Sequence, residues 1–195
     1  MADRAFIIHG YLSYPQEAWL PWLKIELEKR GYDVSLPSMP DPDRPAISEW
    51  VGFIAKLVGE PDRNTVMIGH SLGCQAVLRY LETVGAAGKS VRRTVLVAGI
   101  FPTGMSPDEA DERTDRDPVL RPWLTTGLDP EKVRKAAGKC TVILSDDDPY
   151  LPLGMAAASF QTMPEAKIVI EHGRGHFNED NGLTELPAAL EAVIS

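Results

Sequence analysis

Short apolar runs alternate with helix-period stripes from one end of the chain to the other. Residues 5–9, 33–36, 66–69, 95–98, 140–144 and 167–170 are mostly Val/Ile-rich and nearly continuous in apolar side chains. That is the pattern of strands buried on both faces. Between them, apolar positions recur at three- and four-residue spacing: Trp19, Leu20, Leu23 and Leu27; then Trp50, Val51, Ile54, Leu57 and Val58; then Leu72, Ala76, Tyr80, Leu81 and Val84. Gly31 marks the end of the first of these helices, and Ser48 is the expected cap of the second. Asp129-Pro130-Glu131 opens a short helix that Gly138 closes, and Leu186, Ala189, Leu190 and Val193 form the last stripe. Strand and helix in strict alternation predict parallel strands joined by right-handed crossovers, a doubly wound α/β sheet in one domain spanning residues 1–195. One stretch carries neither period. Residues 99–128 hold four prolines and an acidic run at 108–117, and read as a long loop, either a solvated excursion or a flap over a site.

Composition narrows the picture. The chain has 195 residues, 44% hydrophobic and 25% charged, the balance of an ordinary globular domain. No apolar run approaches the ~18 residues of a spanning helix. The apolar stretch at residues 5–8 is too short for the core of a secretory signal and reads as a first strand. With 20 basic against 28 acidic residues the net charge is −8, which disfavours nucleic acid and anionic membranes as partners. Cys74 and Cys140 stand far apart, in no metal-binding or CxxC spacing, and read as free buried thiols in a reducing compartment. The expectation is a cytoplasmic protein, monomeric or a small homo-oligomer.

Candidate chemistry begins at Gly69-His70-Ser71-Leu72-Gly73, a G-x-S-x-G pentapeptide set between a strand (residues 65–68) and a helix (75–83). In that context the serine sits on a sharp turn at a strand's C-terminal end, facing the positive end of the following helix. A serine hydroxyl needs a base, and the base an orienting acid. Alternation along the strand should point His70 away from the hydroxyl, and His9 belongs to the first strand end. His172 and His176 both follow the last strand; the glycines around His176 favour it as the base, with His172 a packing or loop residue. The acid belongs after the preceding strand, where Asp146, Asp147 and Asp148 stand in a row, and spacing does not choose among them. The chain order Ser…Asp…His is that of α/β-hydrolases. Two backbone donors are required for an oxyanion: the Leu72 N–H and, from the loop His9-Gly10-Tyr11, the Tyr11 N–H.

Taken together, these motifs resemble the retinoblastoma-binding protein 9-like small serine hydrolases, a compact branch of the α/β-hydrolase superfamily. The likeness covers nearly the whole chain: His9-Gly10-Tyr11, Trp19 to Leu23, Pro37 to Pro42 with Trp50 beyond, Gly69-His70-Ser71, Arg121-Pro122-Trp123, Asp147 to Pro152, and Gly175-His176-Phe177. The resemblance implies a six-stranded parallel sheet in the order 2-1-3-4-5-6 without a cap domain. It implies Asp148, in D-x-x-L-P, as the acid and His176 as the base. It also implies serine-hydrolase activity with no cofactor and no metal, and the expected reaction is cleavage of small carboxylic esters, thioesters or amides through an acyl-serine. The alternative is a hydrolase-like scaffold that binds or regulates. An L-x-C-x-E motif for pocket-protein binding is matched only by Leu72 to Ala76, which lacks the glutamate. Among the tryptophans, Trp19, Trp22 and Trp50 read as packing, while Trp123 and, beside the acid loop, Tyr150 are the expected substrate contacts. Six strands and their crossovers consume almost all of the length, which predicts a shallow, accessible pocket for small acyl groups.

Overall fold

A computed structural model describes residues 2–115, 117–163 and 165–195. Its six strands are β1 (Arg4–Ile8), β2 (Asp33–Ser35), β3 (Thr65–His70), β4 (Arg93–Val97), β5 (Lys139–Ser145) and β6 (Lys167–Glu171). They form one sheet in the order β2-β1-β3-β4-β5-β6, and every neighbouring pair is parallel. The helices α1 (Leu20–Glu28), α2 (Ile47–Val58), α3 (Leu72–Ala86), α4 (Pro107–Arg113), α5 (Arg121–Thr125), α6 (Pro130–Ala136), α7 (Leu153–Ser159) and α8 (Pro187–Ile194) flank it.

Alternate residues of each central strand feed opposite cores. Ala5, Ile7, Val66, Ile68, Val95 and Val97 pack with Leu20, Leu23 and Leu27 of α1 and Ala189 and Val193 of α8. Phe6, Ile8, Met67, Leu96 and Val142 pack on the other face with residues of α2, α3 and α6. This double burial explains the unbroken apolar runs. Strand β6 departs from it: at the sheet edge, Ile168 and Ile170 are 39% and 46% exposed.

Two expectations need correction. Ser48 does not cap α2; the helix starts at Ile47 with Ala46 in the cap position and no side-chain cap bond. The Pro45 carbonyl is held by the Trp123 indole N–H (2.9 Å), and this tertiary anchor brings the chain into helix before Ser48. Residues 99–128 are not a long loop, because α4 and α5 occupy the middle of the stretch. Ser106 and Glu109 cap α4 reciprocally, Pro107 supplies its first residue, and Ala110 is buried beneath it. The S-x-x-E signal was present in the sequence, but acidic residues and prolines masked the weak apolar period of so short a helix.

Candidate active site

The turn from β3 to α3 places Ser71 at the C-terminal edge of the sheet with φ 53° and ψ −122°. For a serine this is a strained conformation, and it persists only where the surroundings over-determine it. Here the Ser71 N–H donates to the Val97 carbonyl (2.9 Å), and the Ser71 carbonyl accepts from the Cys74 N–H (2.9 Å). The flanking glycines allow close packing: a Cβ on Gly73 would lie 2.3 Å from the Ile8 carbonyl oxygen, and one on Gly69 2.8 Å from the Cys74 backbone. Leu12, Ala98 and Phe177 also have positive φ and stand on loops at this same edge.

The side chains of Ser71, His176 and Asp148 meet there. The Ser71 hydroxyl lies 2.8 Å from His176 Nε2, and His176 Nδ1 lies 2.8 Å from Asp148 Oδ2. A carboxylate only accepts, so Nδ1 carries the proton and Nε2 is left to accept from the hydroxyl. Asp148 Oδ1 accepts from the Tyr150 and Leu151 N–H groups (2.9 and 3.0 Å), which fixes the carboxylate plane. The Asp148 side chain is 2% exposed and that of His176 12%.

The other two aspartates take different tasks, which spacing alone left open. Asp147 Oδ1 accepts from the Ser145 hydroxyl (2.6 Å) and the Gly175 N–H (2.7 Å). Asp146 accepts from the Gly173 N–H (3.0 Å) and lies 2.6 Å from His172 Nδ1. That contact raises the His172 pKa and lowers that of Asp146. Thus three successive carboxylates of one loop bind Gly173, Gly175 and His176 of the next. His172 is an exposed loop residue, away from the serine.

His70 and Trp19 hold the same loop from below. His70 Nε2 donates to the His176 carbonyl (2.9 Å), and the Trp19 indole N–H donates to the Phe177 carbonyl (3.0 Å). The two rings meet edge to face. Full burial, reinforced by the neighbouring His176 ring, pushes the His70 pKa down to about 3. Neither residue's part in holding the His176 loop was read from the sequence, since a loop 106 residues downstream of His70 leaves no local trace.

At the other side, the Met39 N–H donates to His9 Nε2 (2.9 Å), leaving Nδ1 to donate to the Gly10 carbonyl (3.0 Å). Burial lowers the His9 pKa, consistent with this neutral tautomer. Because a trans peptide points C=O and N–H in opposite directions, this bond also orients the Tyr11 N–H. Tyr11 N–H meets no acceptor among the described residues. The Leu72 N–H opens α3 and belongs to the first-turn donors without a helical partner. A Cβ on Gly10 would lie 3.0 Å from Ser71 Cβ, so the Gly10-Tyr11 loop is packed directly against the serine.

The two expected substrate contacts separate in the structure. Tyr150 is 62% exposed, and its ring meets that of His176 edge-on at 5.0 Å between centroids. Trp123 is 1% exposed: its indole N–H is spent on Pro45, its ring packs against Trp50, and the Arg79 guanidinium lies over it. It is foremost a packing residue, lining an open cleft of about 490 Å³ together with Arg44, Ile47, Pro118, Val119 and Pro122. The Tyr11 hydroxyl donates to Asp117 (3.0 Å), next to the cleft wall. Among the described residues, no group of three or more His, Cys, Asp or Glu side chains is arranged to hold a metal ion. No described helix is long and apolar enough to cross a membrane.

Fold and sequence place the chain among the serine hydrolases of α/β-hydrolase fold. The serine hydrolase family matches over residues 5–194, and this chain belongs to it. It is 31% identical to YdeN of Bacillus subtilis over 195 residues, covering 100% of this chain and 96% of that protein. It is 29% identical to the rat serine hydrolase RBBP9, over 91% of this chain and 87% of the other. The crystal structure of the B. subtilis ydeN gene product superposes with a TM-score of 0.83, covering 98% of this chain and 96% of that one. Est1E from Butyrivibrio proteoclasticus, 17% identical, shares the fold at a TM-score of 0.73, over 98% of this chain and 85% of that one.

Proposed function

We propose that this hydrolase cleaves small carboxylic esters, thioesters or amides through an acyl-serine intermediate, with Ser71, His176 and Asp148 as its catalytic triad. The observation that carries the reading is the unbroken hydrogen-bond path from the Ser71 hydroxyl through the His176 ring to Asp148, with both links at 2.8 Å. Ser71 Oγ attacks the substrate carbonyl while His176 Nε2 takes its proton. The tetrahedral oxyanion is received by the Leu72 and Tyr11 N–H groups, whose direction is set by the helix start and by His9. His176 then protonates the leaving alcohol, thiol or amine as the carbonyl re-forms. Water enters against the acyl-serine with His176 as base, and collapse of the second tetrahedral adduct releases the acid and restores Ser71. Asp148 keeps the imidazole in the required tautomer and stabilises its charged form. Tyr150, exposed beside His176, is placed to touch the leaving group.

Replacement of Ser71 by Ala is expected to abolish both turnover of p-nitrophenyl esters and labelling by a fluorophosphonate, with an unchanged circular dichroism spectrum. Labelling of the Ser71→Ala protein at the wild-type rate would refute the nucleophile assignment. A folded wild type that neither labels nor turns over would refute the catalytic reading in favour of a binding scaffold.

A further inference from the structure

Strand β6 ends the sheet. It pairs with β5 on one side, and its other edge meets no strand among the described residues. A bare edge invites pairing with another chain, and proteins usually blunt it with inward charges, proline or a covering element. Here the reverse is found. Its sequence, Lys167-Ile168-Val169-Ile170-Glu171, has apolar residues at all three central positions and opposite charges at its two ends.

The outward-facing groups follow from the ladder. The Glu171 carbonyl accepts from the Asp146 N–H on the β5 side. Backbone groups of successive residues alternate in direction, so those of Lys167 and Val169 also face β5, while those of Ile168 and Ile170 face outward. The side chains alternate as well. Ile168 and Ile170 are in register with Val142 and Leu144, and so stand on the α2/α3 face of the sheet, 39% and 46% exposed. Val169 packs with the opposite core.

From this geometry we infer that β6 is a homodimer interface, with a second copy of this chain adding its own β6 antiparallel about a twofold axis through Val169. That register alone satisfies three conditions together. It pairs Ile168 with Ile170 of the second copy through their outward N–H and C=O groups, giving four hydrogen bonds about the axis. It gathers the four exposed isoleucines on one face. And it sets Lys167 opposite Glu171 of the second copy, twice, in the closely spaced type of cross-strand pair. A segment that complements itself under a twofold is what a closed dimer requires, whereas a heterologous partner would have no reason to match the reversed charge order. Because the joined strands run in opposite directions, the C-terminal edges of the two sheets, which carry Ser71 and His176, face opposite ways and stay open. The inference does not depend on the catalytic reading.

A five-residue strand supplies less than a standard interface of ~1,600 Å², so dissociation in the micromolar range, on the order of 10 µM, is expected. Sedimentation velocity of the intact chain from about 1 to 200 µM, at salt that screens the −8 charge on each copy, should show a monomer–dimer equilibrium. Ile170→Lys, at an exposed position, should be monomeric throughout with an unchanged melting temperature at 1 µM. Lys167→Glu should weaken the dimer about tenfold, and Lys167→Glu combined with Glu171→Lys should restore it to within about threefold of wild type. Val169→Cys should form an intermolecular disulfide, since the two Val169 positions meet at about 4.5 Å between Cα atoms. A wild type monomeric at 200 µM overturns the inference. So does a dimer indifferent to Ile170→Lys, a failure of the double charge exchange to restore pairing, or an absence of the Val169→Cys cross-link.

Discussion

A histidine next to the proposed nucleophile invites a catalytic role, yet His70 spends its ring on the backbone below the His176 loop. Its Nε2–H holds the His176 carbonyl, and burial keeps the ring neutral down to about pH 3. The groups facing it are Trp19, His176, Asp148 and His9; the His176 carbonyl and Asp148 favour protonation, while the His176 and His9 rings oppose it. In the unfolded chain the same ring titrates near 6.5. Between those two values the unfolded state binds more protons, so folding stability rises with pH through that window and is lost as pH falls. The slope reaches at most about 1.4 kcal/mol per pH unit. His70→Gln keeps a donor but removes the titration. Urea unfolding from pH 7 to pH 4 should therefore show the wild type losing stability more steeply than the variant. Parallel curves would mean that His70 is not held neutral by the fold. The Ser71 turn was legible at this scale because its demand is local: a positive φ between close-packed glycines leaves a five-residue signature. The task of His70 was not, because its partner lies on another loop.

Among the elements, the two loops that follow β5 and β6 act as one unit. Each aspartate of the first ties a different residue of the second, and only Asp148 reaches the His176 imidazole. Asp147→Ala removes the acceptor for the Gly175 N–H and the Ser145 hydroxyl, leaving His176 on a loosened support. The expected effect is a fall in kcat on the order of tenfold with KM changed by less than about twofold, largely recovered in Asp147→Asn. Asp146→Ala, which touches only the exposed His172 and Gly173, should leave both constants within about twofold. Steady-state kinetics on one ester across the three variants separates positioning by this loop from a general loss of negative charge. Strand and helix order was readable because burial on two faces writes itself as continuous apolar runs. The short helices α4, α5 and α7 escaped, having too few turns to display a period.

At the scale of the molecule, Arg79 decides how the segment between β4 and α6 lies on the rest. It projects from α3, is 4% exposed, and donates from one guanidinium nitrogen to the carbonyls of Trp123 and Thr126 at 2.8 Å each. Burial lowers its pKa to about 10, which leaves it charged at neutral pH. These bonds cap the end of α5 and hold Trp123, which lines the cleft, in place. Arg79→Met would leave both carbonyls without their donor, at a cost of about 2–4 kcal/mol. The expected readout is a lower urea midpoint with the slope preserved; an unchanged midpoint would show that the segment is held by its apolar contacts alone.

The sequence by itself determined the class of fold, the strand order once the family likeness was recognised, and the sharp turn that carries Ser71, the proposed nucleophile. Each rests on local constraints: the period of burial, the cost of a left-handed serine, the closeness allowed by glycine. It narrowed the base to two histidines and the acid to three aspartates, with the family pattern pointing to His176 and Asp148. Tertiary structure alone showed how Asp146, Asp147, His70, Trp19 and His9 share the work of holding that site. It also showed Trp123, an expected substrate contact, to be buried with its indole N–H on Pro45, and left Ile168 and Ile170 bare at the sheet edge. These outcomes depend on which loops meet across the top of the sheet and on where the helices stop. Contacts between residues a hundred positions apart leave no pattern in the chain that makes them.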